Sequence, residues 1–126
     1  AAAAAAAEGD EQLPSAVVAL HTKDSWNSHW ESHLKQPDQP MVIDFSASWC
    51  GPCRFVEPAF KALAARFTDV VFAKIDVDEL PDVAEKWKVQ AMPTFVLLKG
   101  GHEVDRVVGA KKDELESKIA KKLTLA

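Results

Sequence analysis

The only two cysteines of this 126-residue chain, Cys50 and Cys53, lie in the stretch WCGPC. Such a pair can serve as a disulfide staple, as half of a metal site or as a reactive dithiol. A disulfide that closes so short a loop would stabilise the fold by at most about 2 kcal/mol, and a reducing environment would break it. We therefore disfavour the staple.

A zinc site would need two further ligands, and His29 and His33 have the i, i+4 spacing that can chelate a metal on a helix. However, the helical spacing of Trp26, Trp30 and Leu34 places the buried face of that segment elsewhere. We expect the two histidines on a solvated helix face, and we expect no metal site.

A reactive dithiol fits the position of the pair best. Cys50 comes directly after a predicted strand and opens a predicted helix, where free backbone N–H groups and the helix dipole favour a thiolate. Cys53 lies one turn further on the same face, close enough to form a disulfide with Cys50. The Cys50 thiolate would attack a partner disulfide, and Cys53 would resolve the mixed disulfide. Between them, Gly51 allows close approach of a partner backbone and Pro52 stiffens the loop.

The elements that position this pair follow from the hydrophobic periodicity of the chain. Apolar runs predict strands at about 16–20, 41–45, 70–75, 93–98 and 102–108. Apolar residues at helical spacing predict helices at about 23–34, 50–67, 81–87 and 112–123. The resulting order, β-α-β-α-β-α-β-β-α, predicts an α/β domain with a mixed sheet and helices on both faces, because parallel crossovers need covering helices.

Composition limits the classes of partner. The formal net charge is −4, and no run of Lys or Arg exceeds two residues, so we expect no nucleic-acid partner. Outside the alanine-rich start, the longest apolar run is about five residues, far from the roughly 20 of a membrane-spanning helix. We therefore expect no membrane span.

The start of the chain differs from the rest. Residues 1–14 are alanine-rich and then acidic, and we interpret them as a flexible tail before a single domain at 15–126. They lack the basic n-region of a secretory signal and the arginines of a transit peptide. We expect a cytoplasmic protein, and in such a reducing compartment a permanent disulfide is disfavoured.

Three stretches of this sequence, VIDFSASWCGPC, AMPTF and VVGA, which start at Val42, Ala91 and Val107, resemble the thioredoxin family. The resemblance spans about residues 16–123, and the sequence around WCGPC is most similar to the h-type thioredoxins of the plant cytosol, with a start that suits a cereal member. It implies the thioredoxin fold, in which four helices flank a central mixed five-stranded sheet.

The resemblance also implies a role for each matched residue near the cysteines. Cys50 becomes the nucleophile, Cys53 the resolving cysteine and Asp44 a buried acid and base. A carboxyl group among apolar neighbours should have a raised pKa, so Asp44 could take the Cys53 proton directly or through a water. The alternative is an aspartate that reaches solvent at a strand edge. Lys74 matches a lysine that tunes the acid, although an exposed strand lysine is nearly as good an interpretation.

The docking surface is likewise implied by the resemblance. Pro93 matches a cis proline that faces the cysteines, and the backbone of Met92 would hydrogen-bond an extended client segment across Cys50. The shallow apolar surface around the pair would consist of Trp49, Gly51, Pro52, Met92, Val108, Gly109 and Ala110. The three other tryptophans are interpreted as packing residues; they are Trp26, Trp30 and Trp87.

The function that the resemblance implies is protein-disulfide reduction by a monomeric thiol-disulfide oxidoreductase that binds no cofactor. Thioredoxin reductase would restore the dithiol with electrons from NADPH, and the other partners would be client proteins with disulfides. The main alternative is a binding module that uses the fold without the sulfur chemistry, and a Cys50→Ser variant would separate the two. A disulfide isomerase or oxidase is disfavoured by Gly51 and Pro52 between the cysteines and by the missing secretory signal.

Overall fold

The computed structural model describes residues 15–124, so the tail predicted at 1–14 lies outside the described residues. The strands are β1 Val17–Leu20, β2 Met41–Ser46, β3 Val71–Asp76, β4 Thr94–Lys99 and β5 His102–Val108. The helices are α1 Lys23–Lys35, α2 Gly51–Arg66, α3 Pro81–Lys86 and α4 Lys112–Lys122. This order confirms the predicted sequence of elements.

The strands of residues 15–124 form a five-stranded mixed sheet in the order β1-β3-β2-β4-β5. The first three are parallel, and β4 runs antiparallel to both β2 and β5. All six residues of β2 are buried, because this strand lies at the centre and is covered on both faces. The strand that leads to Cys50 is therefore paired on both edges and covered on both faces.

Helices cover both faces of the sheet. One face packs against α2 and α4 through a cluster that includes Phe60, Phe72, Phe95, Leu115 and Ile119. The opposite face packs against α1 and α3 through a cluster that includes Trp26, Ile43, Ile75, Val83 and Val96. Both clusters follow the alternation of side chains along the strands. No helix within residues 15–124 has both the length and the apolar character needed to cross a bilayer.

The β4–β5 hairpin turns through Gly100 and Gly101. Both residues have a positive φ, 61° and 83°, which favours glycine. A Cβ atom on Gly101 would also lie 2.7 Å from the Cδ2 atom of Leu34, so this side chain would have to move.

The predicted buried face of α1 is wrong in its last turn. Trp26 is buried, but Leu34 is 49% exposed and His33 only 6% exposed. Seven residues make nearly two full turns, so His33 lies about 20° from Trp26 around the helix axis, whereas Leu34 lies about 80° away. The His33 Nε2 atom accepts a hydrogen bond from the Gly101 N–H at 3.0 Å. A polar side chain at this position therefore holds the hairpin turn.

The packing role of the three tryptophans is confirmed. The rings of Trp26 and Trp30 stack with centroids 5.5 Å apart, and Trp87 meets Trp30 edge-on at 5.6 Å. They connect α1 to the end of α3 on the side of the sheet that lies away from α2.

Candidate active site around Cys50 and Cys53

The turn between β2 and α2 fixes the position of Cys50. The strand ends at Ser46, and the Cys50 N–H donates to the Ala47 carbonyl at 3.1 Å. Cys50 then caps α2: its Sγ atom accepts a hydrogen bond from the Cys53 N–H at 3.2 Å. Pro52 occupies the first turn, where its missing N–H costs nothing. The sulfur of Cys50 therefore lies at the positive end of a 16-residue helix.

Cys50 and Cys53 form a disulfide bond with Cα atoms 5.3 Å apart. Both residues are buried in this oxidised form, with 5% and 6% of their surfaces exposed. Burial therefore does not distinguish the expected nucleophile, Cys50, from the expected resolving cysteine, Cys53. Their positions on the helix do differ. Only Cys50 occupies the cap, so only its sulfur accepts a helix N–H.

The loop before β4 lies across Cys50. The Met92–Pro93 peptide bond is cis, and the Met92 carbonyl oxygen lies 3.8 Å from the Cys50 sulfur. The Gly109 N–H donates to the Pro93 carbonyl at 2.8 Å, and Gly109 has a φ of 103°. The structure thus brings together three segments that are far apart in sequence, namely the start of α2, the loop before β4 and the loop after β5.

Half of the residues expected on the docking surface are exposed. Trp49 is 64% exposed and Val108 is 46% exposed, and Gly51 and Pro52 are also exposed. Met92, Gly109 and Ala110 are half-buried, whereas Pro93 is buried. The Trp49 indole N–H donates to Asp78 at 2.9 Å, a contact that no sequence pattern indicated.

An exposed aromatic side chain that was not predicted from the sequence lies next to this surface. Phe55 follows Cys53 by two residues and is 66% exposed. The Lys112 ammonium lies 5.7 Å from the centre of its ring. Phe55 lies within the helix predicted at 50–67, and nothing in the sequence pattern indicated its exposure. Apolar residues at helical spacing do not by themselves show which of them lies beyond the edge of the sheet.

Asp44 is buried in the middle of β2, and it does not reach solvent at a strand edge. Only 2% of its surface is exposed, and its Oδ1 atom has no hydrogen-bond partner among the described residues. Burial raises the pKa of Asp44 from 3.8 to about 7; the charge of Lys74 lowers it and the charge of Glu57 raises it. A carboxyl group with this pKa exchanges protons near neutral pH.

Lys74 lies beside Asp44 in the sheet, since the two are register partners on the parallel strands β3 and β2. Its ammonium donates to the Glu57 carboxylate at 2.9 Å, and each side chain is about one third exposed. Glu57 was missed by the sequence analysis. Its spacing of four residues after Cys53 on α2 was the one available signal, because this spacing places both on the same helix face.

A cavity of about 540 Å³ adjoins Cys53. Its lining includes Ser46, Cys53, Arg54, Glu57, Lys61 and Lys74. The cavity is mixed in charge, and both members of the Lys74–Glu57 pair contribute to its wall. Across residues 15–124, no group of three or more His, Cys, Asp or Glu side chains is arranged to hold a metal ion.

Comparison with known proteins places these features in context. The sequence matches the family model described as Thioredoxin over residues 18–121. It is 64% identical over 110 residues to Thioredoxin H2-2 of Oryza sativa subsp. japonica, a match that covers 87% of this chain and 82% of that protein. Thioredoxin H2 of Arabidopsis thaliana is 54% identical over 117 residues, covering 93% of this chain and 87% of that protein.

The fold is also similar to that of solved structures. The crystal structure of thioredoxin NaTrxh from Nicotiana alata superimposes with a TM-score of 0.84 at 57% sequence identity. The superposition covers 88% of this chain and 96% of the Nicotiana alata chain.

Proposed function

Because this chain belongs to the thioredoxin family, it is a thiol-disulfide oxidoreductase, and we propose that it reduces disulfide bonds of client proteins. The observation that carries the proposal is the Cys50–Cys53 disulfide at the N-terminus of α2. This pair is the only one in the sequence that can accept and return two electrons.

The reaction starts from the dithiol form. The Cys50 thiolate, favoured by the helix N-terminus, attacks one sulfur of a client disulfide, and the other client sulfur leaves as a thiolate. The sulfur of Cys53 then attacks Cys50, forms the intramolecular disulfide and releases the second client thiolate. Two electrons pass from this protein to the client, and the product is the oxidised form described above.

Asp44 accepts the proton that Cys53 must lose before it attacks. The carboxyl group is buried in β2, its Oδ1 atom has no partner among the described residues, and its pKa of about 7 suits proton exchange at neutral pH. Water in the cavity next to Cys53 would relay this proton.

Clients dock on the exposed surface around the disulfide. An extended client segment would hydrogen-bond the backbone of Met92, whose carbonyl already lies 3.8 Å from the Cys50 sulfur. The apolar side chains of Trp49 and Val108 would then contact the client on either side.

The oxidised form returns to the dithiol through thioredoxin reductase. Thioredoxins carry no prosthetic group and receive electrons from this reductase, and we assign NADPH as the ultimate electron donor for this chain. We further propose that the chain acts as a monomer in the cytosol, the compartment that its h-type resemblance implies.

Turnover of NADPH in the presence of thioredoxin reductase and insulin tests this function. We expect rapid oxidation of NADPH with the wild-type protein and none above background with Cys50→Ser, because the variant lacks the nucleophile. Cys53→Ser should accumulate a mixed disulfide with insulin, since nothing resolves it. Wild-type protein that stays inactive while its disulfide can be reduced by dithiothreitol would contradict the proposal and favour a binding module.

A further inference from the structure

Three ionisable side chains lie near one another on the α2 side of the sheet, and two of them, Glu57 and Lys74, line a cavity together with Cys53. Val42 and Phe72 belong to the cluster that packs against α2. Asp44 and Lys74 follow them by two residues on β2 and β3, so they point to the same face. The third group, Glu57, comes from α2 itself.

The pairing within this group is selective. The Lys74 ammonium lies on the strand next to Asp44 and would be its natural partner. Its hydrogen bond goes instead to the Glu57 Oε2 atom, at 2.9 Å. Asp44 Oδ1 meanwhile has no hydrogen-bond partner in the part of the chain that the structure describes, although buried carboxylates are normally paired.

We propose that Glu57 is a positioning residue for the proton step at Cys53: its carboxylate engages the Lys74 ammonium, so that no ion pair forms with Asp44. The buried carboxyl oxygen of Asp44 stays available to the Cys53 proton. This inference rests on the proposed function, because it assumes that Asp44 takes part in resolution. Glu57 would therefore affect the ionisation of Asp44, which an ordinary surface ion pair would not do.

Other charged groups around Asp44 do not replace Glu57. The neighbour of Asp44 on β4 is Phe95, which carries no charge. Arg54, Lys61 and Asp76 line the same cavity, but they do not contribute to the pKa of Asp44. The charge of Lys74 lowers the pKa of Asp44 and the charge of Glu57 raises it, so the effects of the two paired charges oppose each other.

The proton step can be written with all bonds accounted for. In the mixed disulfide, the Cys53 S–H bond breaks and its proton passes to the Asp44 carboxylate. The Cys53 thiolate attacks the Cys50 sulfur, the bond between Cys50 and the client sulfur breaks, and the client leaves with the electron pair as a thiolate. If the Lys74 ammonium were paired with Asp44, the carboxylate would be a weaker base and this transfer would be less favourable.

The first experiment measures the titration of Asp44 by the ¹³C shift of its carboxyl carbon. The oxidised protein is used, because disulfide-bonded cysteines do not titrate and cannot complicate the curve. In Glu57→Gln, the released ammonium is free to approach Asp44, and we expect its midpoint to fall by about one pH unit, the lower end of the effect of a close opposite charge. Glu57→Asp, which keeps the charge, should restore most of the wild-type midpoint.

Glu116→Gln is the matched control. Glu116 also pairs with a cation at a helix surface, Arg66 Nη2 at 2.7 Å, but it lies outside the cavity. Its loss should leave the midpoint of Asp44 unchanged. In a Lys74→Met background, Glu57→Gln should shift the midpoint clearly less than in the wild type, since no ammonium is left to release.

The second experiment separates this inference from the proposed function. The rate of insulin reduction by the dithiol form is measured against pH in a single turnover, and the acid limb for Glu57→Gln should move down with the Asp44 midpoint. Equal midpoints in Glu57→Gln and wild type would overturn the role of Glu57, even if insulin is reduced. A shifted midpoint without any insulin reduction by the wild type would instead overturn the proposed function and the catalytic part of this inference with it.

Discussion

The ionisation of Asp44 connects catalysis to stability. Its pKa is raised from 3.8 to about 7 in the folded chain, so between these values the folded state holds a proton that the unfolded state has lost. The contribution of Asp44 to stability is therefore fully present below pH 3.8 and is lost as the pH rises through about 7. The carboxyl group to which we assign proton transfer therefore lowers the free energy of unfolding at neutral pH relative to low pH.

An Asp44→Asn variant should reveal this cost. The amide cannot ionise, so we expect the variant to gain stability over the wild type as the pH rises, by roughly 2 to 3 kcal/mol between pH 5 and pH 8. Urea unfolding at several pH values measures the difference. Asp69→Asn, at an exposed loop position, serves as the control and should show no such trend. A pH-independent difference for Asp44→Asn would mean that Asp44 is not protonated in the folded state.

Some features of the site could be predicted from the sequence, and others could not. The burial of Asp44 was predictable, because it interrupts a run of apolar residues that reads as a central strand. The Lys74–Glu57 pair was not, since it depends on the register between β2 and β3 and on how α2 packs above them. The contact between Trp49 and Asp78 depends in the same way on two loops whose separation no local pattern encodes.

At the level of elements, periodicity predicted the order of strands and helices but not the details of helix α1. At the first turn of the helix, the Thr22 side chain accepts the Ser25 N–H at 3.1 Å and caps it. The other end was wrong, because hydrophobicity favoured Leu34 as the buried residue whereas helix geometry turns His33 inward. The residue that helix geometry turns inward is usually hydrophobic. Here that residue is His33, and its ring accepts a hydrogen bond from the Gly101 N–H in the hairpin turn.

This arrangement predicts acid sensitivity in the contact between α1 and the β4–β5 turn. Burial lowers the pKa of His33 below 6.5, partly offset by a backbone hydrogen bond with Gln39. The folded state then holds fewer protons, so the contribution is present above pH 6.5 and is lost as the pH falls through the lowered pKa. His33→Gln should lose less stability than the wild type between pH 7 and pH 5.

Thermal unfolding over that pH range is the measurement, and His102→Gln at an exposed position is the matched control. The comparison uses differences from the wild type, because Asp44 gains stability over the same range and partly masks the loss from His33. Parallel pH curves for His33→Gln and wild type would contradict the role of the buried imidazole.

For the whole molecule, the sheet acts as a platform that collects the site at one end. The end of β2, the start of α2, the loop before β4 and the loop after β5 meet there, although they span about half of the chain. An exposed apolar surface next to a reactive pair suits many different clients, because apolar contacts are not directional. We propose that the chemistry resides in the cysteines and that the choice of client depends on this surface.

Substitutions on β5 can test whether client docking is separable from the sulfur chemistry. Val108 and Val104 lie on the same strand, four residues apart, and both are exposed, at 46% and 40%. Only Val108 adjoins the loop that carries Gly109. We expect Val108→Asp to lower kcat/KM for insulin reduction by about tenfold, mainly through KM, because client contact would desolvate the new carboxylate. A small aromatic disulfide that needs no docking should react at the wild-type rate.

Val104→Asp places the same charge on the same strand away from the cysteines, so it should leave both substrates unaffected. Equal losses in the two variants would mean that the charge acts at long range or through the stability of β5, and a salt titration and an unfolding curve would distinguish these causes. Equal losses on insulin and on the small disulfide in Val108→Asp would place the defect in the sulfur chemistry. Only a loss confined to Val108→Asp and to the protein substrate supports a docking surface that is separable from the dithiol.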